Sequence, residues 1–209
     1  MCYTLALFHW FSVPNHFSAM NLNEIDVLMA VVIATIVFIG RKEGLMAGLF
    51  KLFGILCVIF ITLHYYVHLA DFLRAKFFGE KTATEFFAFI LLAMPMTLLF
   101  ILISNGWVLI LKVKTLAAID RWGGVALALV RSYFVCGLLF VALVLSGHSY
   151  AAPRAMASVS RAIFGYAAVG FYARIYTSFV QKYFPDDKIN EHPFGVIAQE
   201  PGKKKPKSR

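Results

Sequence analysis

The sequence predicts an all-α integral membrane protein, with four transmembrane helices and a C-terminal amphipathic helix at the membrane surface. Of its 209 residues, 60% are hydrophobic and only 15% are charged, and its mean hydropathy is +0.74. A soluble domain is typically about 45–50% apolar and about 25% charged, so a water-soluble core of this size could not bury so much apolar surface. Long uninterrupted apolar runs, rather than short alternating ones, favour helices over a membrane barrel.

Four segments are long and apolar enough to cross a hydrocarbon core of about 30 Å, which takes roughly 20 helical residues. They lie at about 24–40, 45–69, 86–111 and 123–147. The third contains no charged residue, and its Pro95 is compatible with a membrane helix because neighbouring helices can satisfy the freed backbone groups. We therefore predict one four-span membrane domain over residues 20–150.

The connection between the first two spans, residues 40–44, is so short that these spans must form an antiparallel hairpin. It also contains the start of a row of glycines at four-residue spacing, Gly40, Gly44 and Gly48. Small residues at this spacing let two membrane helices approach backbone to backbone. We interpret the row as a turn and packing motif.

The C-terminal part of the chain has a different pattern. After Pro153, apolar and aromatic residues recur at the three- and four-residue steps of one helical face, and the longest uncharged run there is too short to span a membrane. We predict that segment 151–184 contains an amphipathic helix, at about 158–184, that lies on the bilayer. Residues 185–209 are predicted to be a basic disordered tail.

Most of the excess positive charge lies in that C-terminal part. The formal net charge of +9 divides into +3 over residues 1–147 and +6 over residues 148–209. The lysine cluster within 203–209 would suit anionic lipids. No surface for reading bases accompanies this charge, so we expect no nucleic-acid role.

The N-terminal stretch over residues 1–19 contains no lysine or arginine, and so lacks the positive region of a signal peptide. Met20 stands directly before the first predicted span. We interpret residues 1–19 as a leader of doubtful status, either a misassigned start or a short extramembrane segment.

Lysine and arginine residues in short loops indicate which side of the membrane each loop occupies. The first and third connections carry five of these residues and the second carries three. This distribution places loops one and three in the cytoplasm and both termini outside. Arg154 and Arg161, which follow span four closely, argue for the opposite orientation.

Two carboxylates stand at the entrances to predicted spans. Asn23 and Asp26 suit N-capping of the first span, where side-chain oxygens accept hydrogen bonds from free amides. The alternative for Asp26 is a buried carboxylate with a proton-linked or partner-binding role. Asp120 and its neighbour Arg121 would cap and anchor span four, and a structural clamp between Asp120 and Arg41 is a further expectation.

Arg131 is the best single candidate for a functional charge within a span. It lies about ten residues beyond Arg121, or some 15 Å along a helix. An arginine near mid-depth costs roughly 2.5–3.5 kcal/mol on insertion scales and normally faces the bundle interior or water. The alternative is that Arg131 snorkels to the interface or bonds to Ser104 and Asn105.

His64 and His68 stand four residues apart near the end of span two, a spacing that can present two imidazoles to one metal ion. No third ligand accompanies them in the manner of the H-E-x-x-H motif. Tyr65 and Tyr66 between them fit an aromatic belt at the membrane interface instead. We predict no metal, no cofactor and no disulfide framework.

Three short motifs occur in a recognisable order along the chain. They are Asn23-x-x-Asp26, Gly40-Arg41-x-x-Gly44 and Asp120-Arg121-Trp122-Gly123-Gly124. Over about residues 21–150 they resemble the colicin V production (CvpA) family of bacterial inner-membrane proteins. The candidate functional or packing residues are Asp26, Gly40, Arg41, Gly44, Asp120, Arg121 and Gly123 from these motifs, together with Arg131 from its depth in span four.

The resemblance implies a protein of the bacterial inner membrane that is needed for colicin V production or export and for envelope homeostasis. We expect a non-enzymatic accessory or scaffold protein, because the spans supply no convergent acid, base or nucleophile set. Its expected partners are the lipid bilayer and a membrane protein, either unidentified or a second copy of the chain. The alternative is a small oligomeric transporter or channel that uses Arg131 and Asp26.

Overall fold

A computed structural model describes residues 22–77, 80–110, 117–184 and 189–198. The leader predicted over 1–19 and the lysine cluster within 203–209 lie outside the described residues. The described part is all-helical, without a strand. Its elements in chain order are α1 (Glu24–Phe77), α2 (Lys81–Ile110), α3 (Ala117–Leu145), α4 (Ala151–Ala157), α5 (Val159–Phe164), α6 (Ala167–Ile175), a π-helical turn (Tyr176–Val180), α7 (Gln181–Tyr183) and α8 (His192–Ala198).

Within the described ranges, three helices are long and apolar enough to cross a membrane, namely α1, α2 and α3. The first of these is continuous where two spans are predicted. Its backbone is broken at Gly44, whose φ of 81° and ψ of 176° lie outside the helical region. A positive φ of this size strains any residue with a side chain, so the break requires glycine.

Contacts with α3 show that α1 reverses direction at Gly44. Met29 lies against Cys136, Gly40 against Ala128, and Gly44 against Asp120. The residue number contacted on α3 therefore decreases along the first part of α1. After Gly44 the residue number contacted on α3 increases again, with Leu45 against Gly123 and Gly48 against Leu127. The arm before Gly44 is therefore antiparallel to α3 and the arm after it is parallel to α3. The two arms form the hairpin expected at 40–44.

The second arm of α1 is the centre of the bundle, because both α2 and α3 pack on it. The core that these helices share with the C-terminal segment is built from fully buried side chains: Val58, Ile59, Leu63, Tyr66, Phe89, Val141, Val169 and Tyr172. The outer face of α2 is apolar and exposed, as a helix that faces lipid requires, and it includes Leu91, Met94, Leu98 and Leu102.

The segment that follows α3 differs from the single amphipathic helix predicted over 158–184. Ser158 has an extended backbone and separates α4 from α5, and a further break at residues 165–166 precedes α6. The first half of the predicted apolar face packs onto the bundle, where Phe164 and Ala168 are buried. The second half, with Phe179 and Tyr183, is exposed. Its placement on a bilayer surface stays a prediction.

The predicted disordered tail is wrong for residues 192–198, which form α8. Two apolar side chains of this helix, Pro193 and Ile197, are buried against the bundle. The preceding Asn190 donates a hydrogen bond from its side-chain amide to the Leu63 carbonyl, at 2.7 Å. The basic composition of the tail as a whole concealed this short apolar stretch.

Candidate functional site

At one end of the bundle, which we call the turn end, the α1 hairpin meets the start of α3 through glycines. A Cβ atom on Gly124 would lie 2.7 Å from the Gly40 carbonyl oxygen and 3.1 Å from the Gly44 carbonyl carbon. A Cβ on Gly123 would lie 2.5 Å from a methyl group of Leu45. At Gly124 the nearest atom belongs to the backbone and is closer than a real Cβ contact, so this position requires glycine for the two backbones to touch, whereas at Gly123 the Leu45 side chain would have to move. The structure thus joins two of the three sequence motifs into one interlock.

Asp120 completes this interlock by capping the second arm of α1. Its Oδ1 atom accepts a hydrogen bond from the Leu45 backbone amide at 2.8 Å. That amide is one of the free donors at the start of the arm, and a carboxylate there also meets the positive end of the helix dipole. Asp120 was expected to cap its own helix or to clamp Arg41. Among the described contacts, Asp120 instead caps the start of the second arm of α1, and it forms no ion pair with Arg41.

Arg131 belongs to a charged cluster inside the bundle. Its Nη1 atom donates to Glu43 Oε2 at 3.3 Å, and the Lys51 ammonium pairs with the other oxygen of Glu43. The three side chains are 11%, 17% and 15% exposed for Arg131, Glu43 and Lys51. Two cations around one carboxylate leave the cluster with a net positive charge.

Glu43 was not expected from the sequence as the partner of Arg131. Ser104 and Asn105 were offered as hydrogen-bond partners in one of the alternatives for Arg131, and neither residue bonds to it among the described contacts. One signal could have found Glu43, which is the only carboxylate between Asp26 and Asp71. A buried arginine in span four needs an acidic partner, and the hairpin turn offers one.

The Asn23-x-x-Asp26 motif forms a reciprocal cap at the start of α1. Asn23 Oδ1 accepts from the Ile25 amide, and Asp26 Oδ2 accepts from the Asn23 amide, both at 3.0 Å. This is similar to a capping box, with Asn and Asp in place of the usual Ser or Thr and Glu, and with the cap side chain bonded to the amide of the second helical residue rather than the third. The expected capping role of Asp26 is present in the structure.

Asp26 has a second role that its sequence position does not reveal. Its Oδ1 atom accepts from both the backbone amide and the hydroxyl of Ser160, at 2.7 Å and 2.6 Å. Nearby, the Asn23 side chain donates to the Arg154 carbonyl at 2.8 Å, and Glu24 forms an ion pair with the Arg154 guanidinium. The hydrogen bonds from its guanidinium to Glu24 raise the pKa of Arg154. The motif thus ties the start of α1 to the C-terminal segment.

A buried polar network, which was not expected from the sequence, lies toward the end of the second arm of α1. His64 Nδ1 is 3.0 Å from the Tyr172 hydroxyl. The same hydroxyl accepts a hydrogen bond from the Asn190 backbone amide. The Tyr66 hydroxyl is 2.8 Å from His192 Nδ1. These contacts join α1, α6 and the residues around α8.

Two features continue the network and bear on the metal hypothesis. His192 Nε2 lies 3.6 Å from the buried carboxylate of Glu85 on α2. His64 is buried beside Phe60 and Tyr172, whereas His68 is exposed. Across the described ranges, no three histidine, cysteine, aspartate or glutamate residues are grouped to hold a metal ion. The two histidines therefore face different surroundings.

The remaining predicted residues, Arg41 and Arg121, are exposed at the turn end and line an open hollow there. The eight candidates therefore fall into separate groups. Six of them lie at the turn end, while Arg131 joins the charged cluster with Glu43 and Asp26 joins the C-terminal segment.

Comparison with known proteins identifies the family. A family model described as Colicin V production protein matches residues 25–160, which is more than half of the chain. No curated protein and no solved structure matches the chain. The matched range contains the glycine interlock, the Glu43–Arg131 pair and the bond from Asp26 to Ser160. The chain therefore belongs to the colicin V production family of membrane proteins.

Proposed function

We propose that this protein is a non-enzymatic accessory or scaffold protein of the bacterial inner membrane, which acts in colicin V production or export and in envelope homeostasis. One observation carries the proposal: the candidate polar groups inside the bundle bond to other parts of the same chain. Asp26 and Asp120 cap helices, and Arg131 pairs with Glu43. Such contacts stabilise a defined shape rather than assemble a catalytic centre.

The proposed topology has four crossings, with both termini outside the cytoplasm. Each arm of α1 is long enough to cross, since the 20 residues of 24–43 alone extend about 30 Å as a helix. The bond between Asp26 and Ser160 supports an even number of crossings, because it joins the start of the first arm to the segment after α3. The basic residues of the turn end support a cytoplasmic position for that end.

In-membrane crosslinking followed by mass spectrometry tests the scaffold proposal. We expect the full-length protein, expressed at its native level, to crosslink reproducibly to one or a few membrane proteins of the envelope. A photo-crosslinker at the exposed Leu98 position of α2 samples the lipid-facing surface, while one at the buried Phe89 position of the same helix is the matched control. Recovery of no partner above the control would contradict the proposal.

A small transporter or channel is the alternative, favoured by the net positive cluster of Arg131, Glu43 and Lys51. In this structure Asp26 bonds to Ser160 and Arg131 to Glu43, so the two residues proposed for transport serve different sites. Replacing Arg131 with leucine separates the alternatives. If insertion and partner crosslinking persist while a solute flux into proteoliposomes disappears, the transporter is correct and the scaffold proposal fails.

A further inference from the structure

The turn end carries a surface hollow that the proposed function does not explain. One part of it, with a volume of about 530 Å³, is lined by Arg41, Arg121, Trp122 and Val125. An adjoining part of about 410 Å³ is lined by Phe38 and Lys42 together with the same two arginines. Arg41 and Arg121 line both parts, so both lie at the junction of the α1 turn with α3.

Three cations converge on this hollow without a carboxylate to neutralise them. Arg41, Lys42 and Arg121 form no ion pair with any residue in the described ranges. The two acids that adjoin these cations in the sequence have other partners, since Asp120 accepts from the Leu45 amide and Glu43 pairs with Lys51 and Arg131. The hollow therefore has a strong local positive charge and suits an anion.

The other walls of the hollow are aromatic and exposed. The Trp122 side chain is 75% exposed and Phe38 is 59% exposed, and the Lys42 ammonium lies 4.8 Å from the centre of the Phe38 ring. A small free anion would bind the cations without covering this exposed apolar surface. Tryptophan beside basic residues is instead typical of the depth at which lipid headgroups meet the hydrocarbon core.

The four crossings proposed above, on which this inference rests, put the hollow at that depth. It lies where two helices long and apolar enough to span a membrane reach the turn end, at Gly44 and at Asp120. A ligand there would meet guanidinium groups on one side and aromatic rings on the other. Arginine can donate two parallel hydrogen bonds to a phosphate group, which gives a lipid phosphate a defined position rather than a diffuse attraction.

We propose that this hollow is a binding site for an anionic phospholipid, with the lipid phosphate held by Arg41, Lys42 and Arg121 and its glycerol and upper acyl region against Trp122 and Phe38. The site is distinct from the lysine cluster within 203–209. It would orient the turn end of the bundle against a leaflet rich in anionic lipid.

Native mass spectrometry of the purified full-length protein, titrated with phosphatidylglycerol, tests this site. Wild type is compared with the double variant Arg41→Gln/Arg121→Gln and with the matched control Arg74→Gln/Lys76→Gln, which removes two positive charges from the other end of the second arm. We expect affinity for phosphatidylglycerol to fall at least about tenfold in the first variant and little in the control. Binding of phosphatidylcholine should be the same in all three proteins.

Further measurements distinguish a lipid site from a diffuse charge effect and from a site for free phosphate. The variant Trp122→Ala keeps every charge, and we expect it also to weaken phosphatidylglycerol binding. Inorganic phosphate at millimolar concentration should fail to displace the lipid. The proposal is overturned if the control pair loses as much affinity, or if inorganic phosphate displaces the lipid. It is also overturned if either Arg41→Gln/Arg121→Gln or Trp122→Ala has no effect. Circular dichroism establishes that each exposed-site variant is folded.

Discussion

Asp26 shows how one carboxylate can hold two chain segments together. One of its oxygens accepts from the Asn23 amide at the start of α1, and the other accepts from the amide and hydroxyl of Ser160 at the start of α5. Both helix starts have free amide donors, and the negative charge suits both helix dipoles. Asp26 is therefore a link between distant parts of the chain as well as a cap.

Replacing Asp26 with alanine should destabilise the protein by about 2 kcal/mol, because it removes a cap and leaves the donors of Ser160 without their partner. The free energy of unfolding in a mild detergent, measured by denaturant titration, checks this value. Asp71→Ala is the control, since that carboxylate is 62% exposed and forms only a surface ion pair. Equal effects of the two substitutions would contradict the linking role.

Glu43 and Arg131 form the strongest charge coupling that we expect within the bundle. Replacing Glu43 with glutamine leaves Arg131 and Lys51 close together without a carboxylate, and should cost about 2–3 kcal/mol. Adding Arg131→Met should recover part of this loss, because the repulsion then disappears. A double-mutant cycle on unfolding free energies measures the coupling, and strictly additive effects would show that the pair contributes nothing.

At the scale of elements, the contact between the α1 hairpin and α3 depends on the absence of side chains. The Gly124 position faces the Gly40 carbonyl and the Gly44 backbone directly. Neither is the flexible end of a side chain, so neither can move aside for a methyl group. The helix pair is therefore held at its closest approach by Gly40, Gly44 and Gly124.

Gly124→Ala should destabilise the protein by at least about 2 kcal/mol, since overpacking a close backbone contact forces the helices apart. Gly170→Ala is the matched control, because a Cβ at that helical position meets nothing within 4 Å. This control should be neutral or slightly stabilising, as alanine is the better helix former. Thermal unfolding of both variants in the same detergent tests the difference, and a control that loses as much stability would refute it.

The α8 helix is a short element that tertiary contacts hold in place. His192 connects it to Tyr66 on α1 and to Glu85 on α2, while Ile197 is buried and its carbonyl accepts from Arg161. A seven-residue helix is not stable alone, so its order depends on these contacts.

His192→Ala should therefore release α8 from the bundle. Hydrogen exchange followed by mass spectrometry should show faster exchange for peptides covering 192–198, with little change in the spanning helices. His68→Ala is the control, because His68 is exposed on the same arm as Tyr66. Unchanged protection of the 192–198 peptides would mean that the apolar contacts of Pro193 and Ile197 suffice.

At the scale of the whole molecule, two segments close the bundle on the side away from the turn end. The C-terminal segment bonds to the start of α1 through Asp26 and Arg154, and α8 bonds to the second arm through Asn190 and His192. The apolar exterior of α2 is exposed. The molecule thus has one basic end, one end closed by its C-terminal segment, and a lipid-facing side.

This arrangement predicts a specific labelling pattern for single cysteines in a background without Cys2, Cys57 and Cys136. With four crossings, Lys42→Cys and Arg121→Cys should react with an impermeant maleimide from the cytoplasmic side. Lys81→Cys and His148→Cys should react from the opposite side. Labelling of Lys42→Cys and Lys81→Cys from the same side would contradict the four-crossing topology.

The sequence by itself determined the membrane class, the long apolar helices, the turn at 40–44 and the cap at Asn23 and Asp26. Each of these depends on local composition, on helix length or on residues a few positions apart. Asp120 was expected to cap its own helix or to pair with Arg41, one alternative for Arg131 was a bond to Ser104 and Asn105, and 192–198 was expected to be disordered. The structure differs in these cases because the deciding contacts are distant in sequence.

Only the tertiary structure decided which distant groups meet. Glu43 reaches Arg131, and Asp120 reaches Leu45, because the chain reverses at Gly44 and lays both arms of α1 along α3. Asp26 reaches Ser160 because the segment after α3 returns to the start of α1. Charge and hydrogen bonding act over a few ångströms in space, and sequence separation alone does not fix that distance.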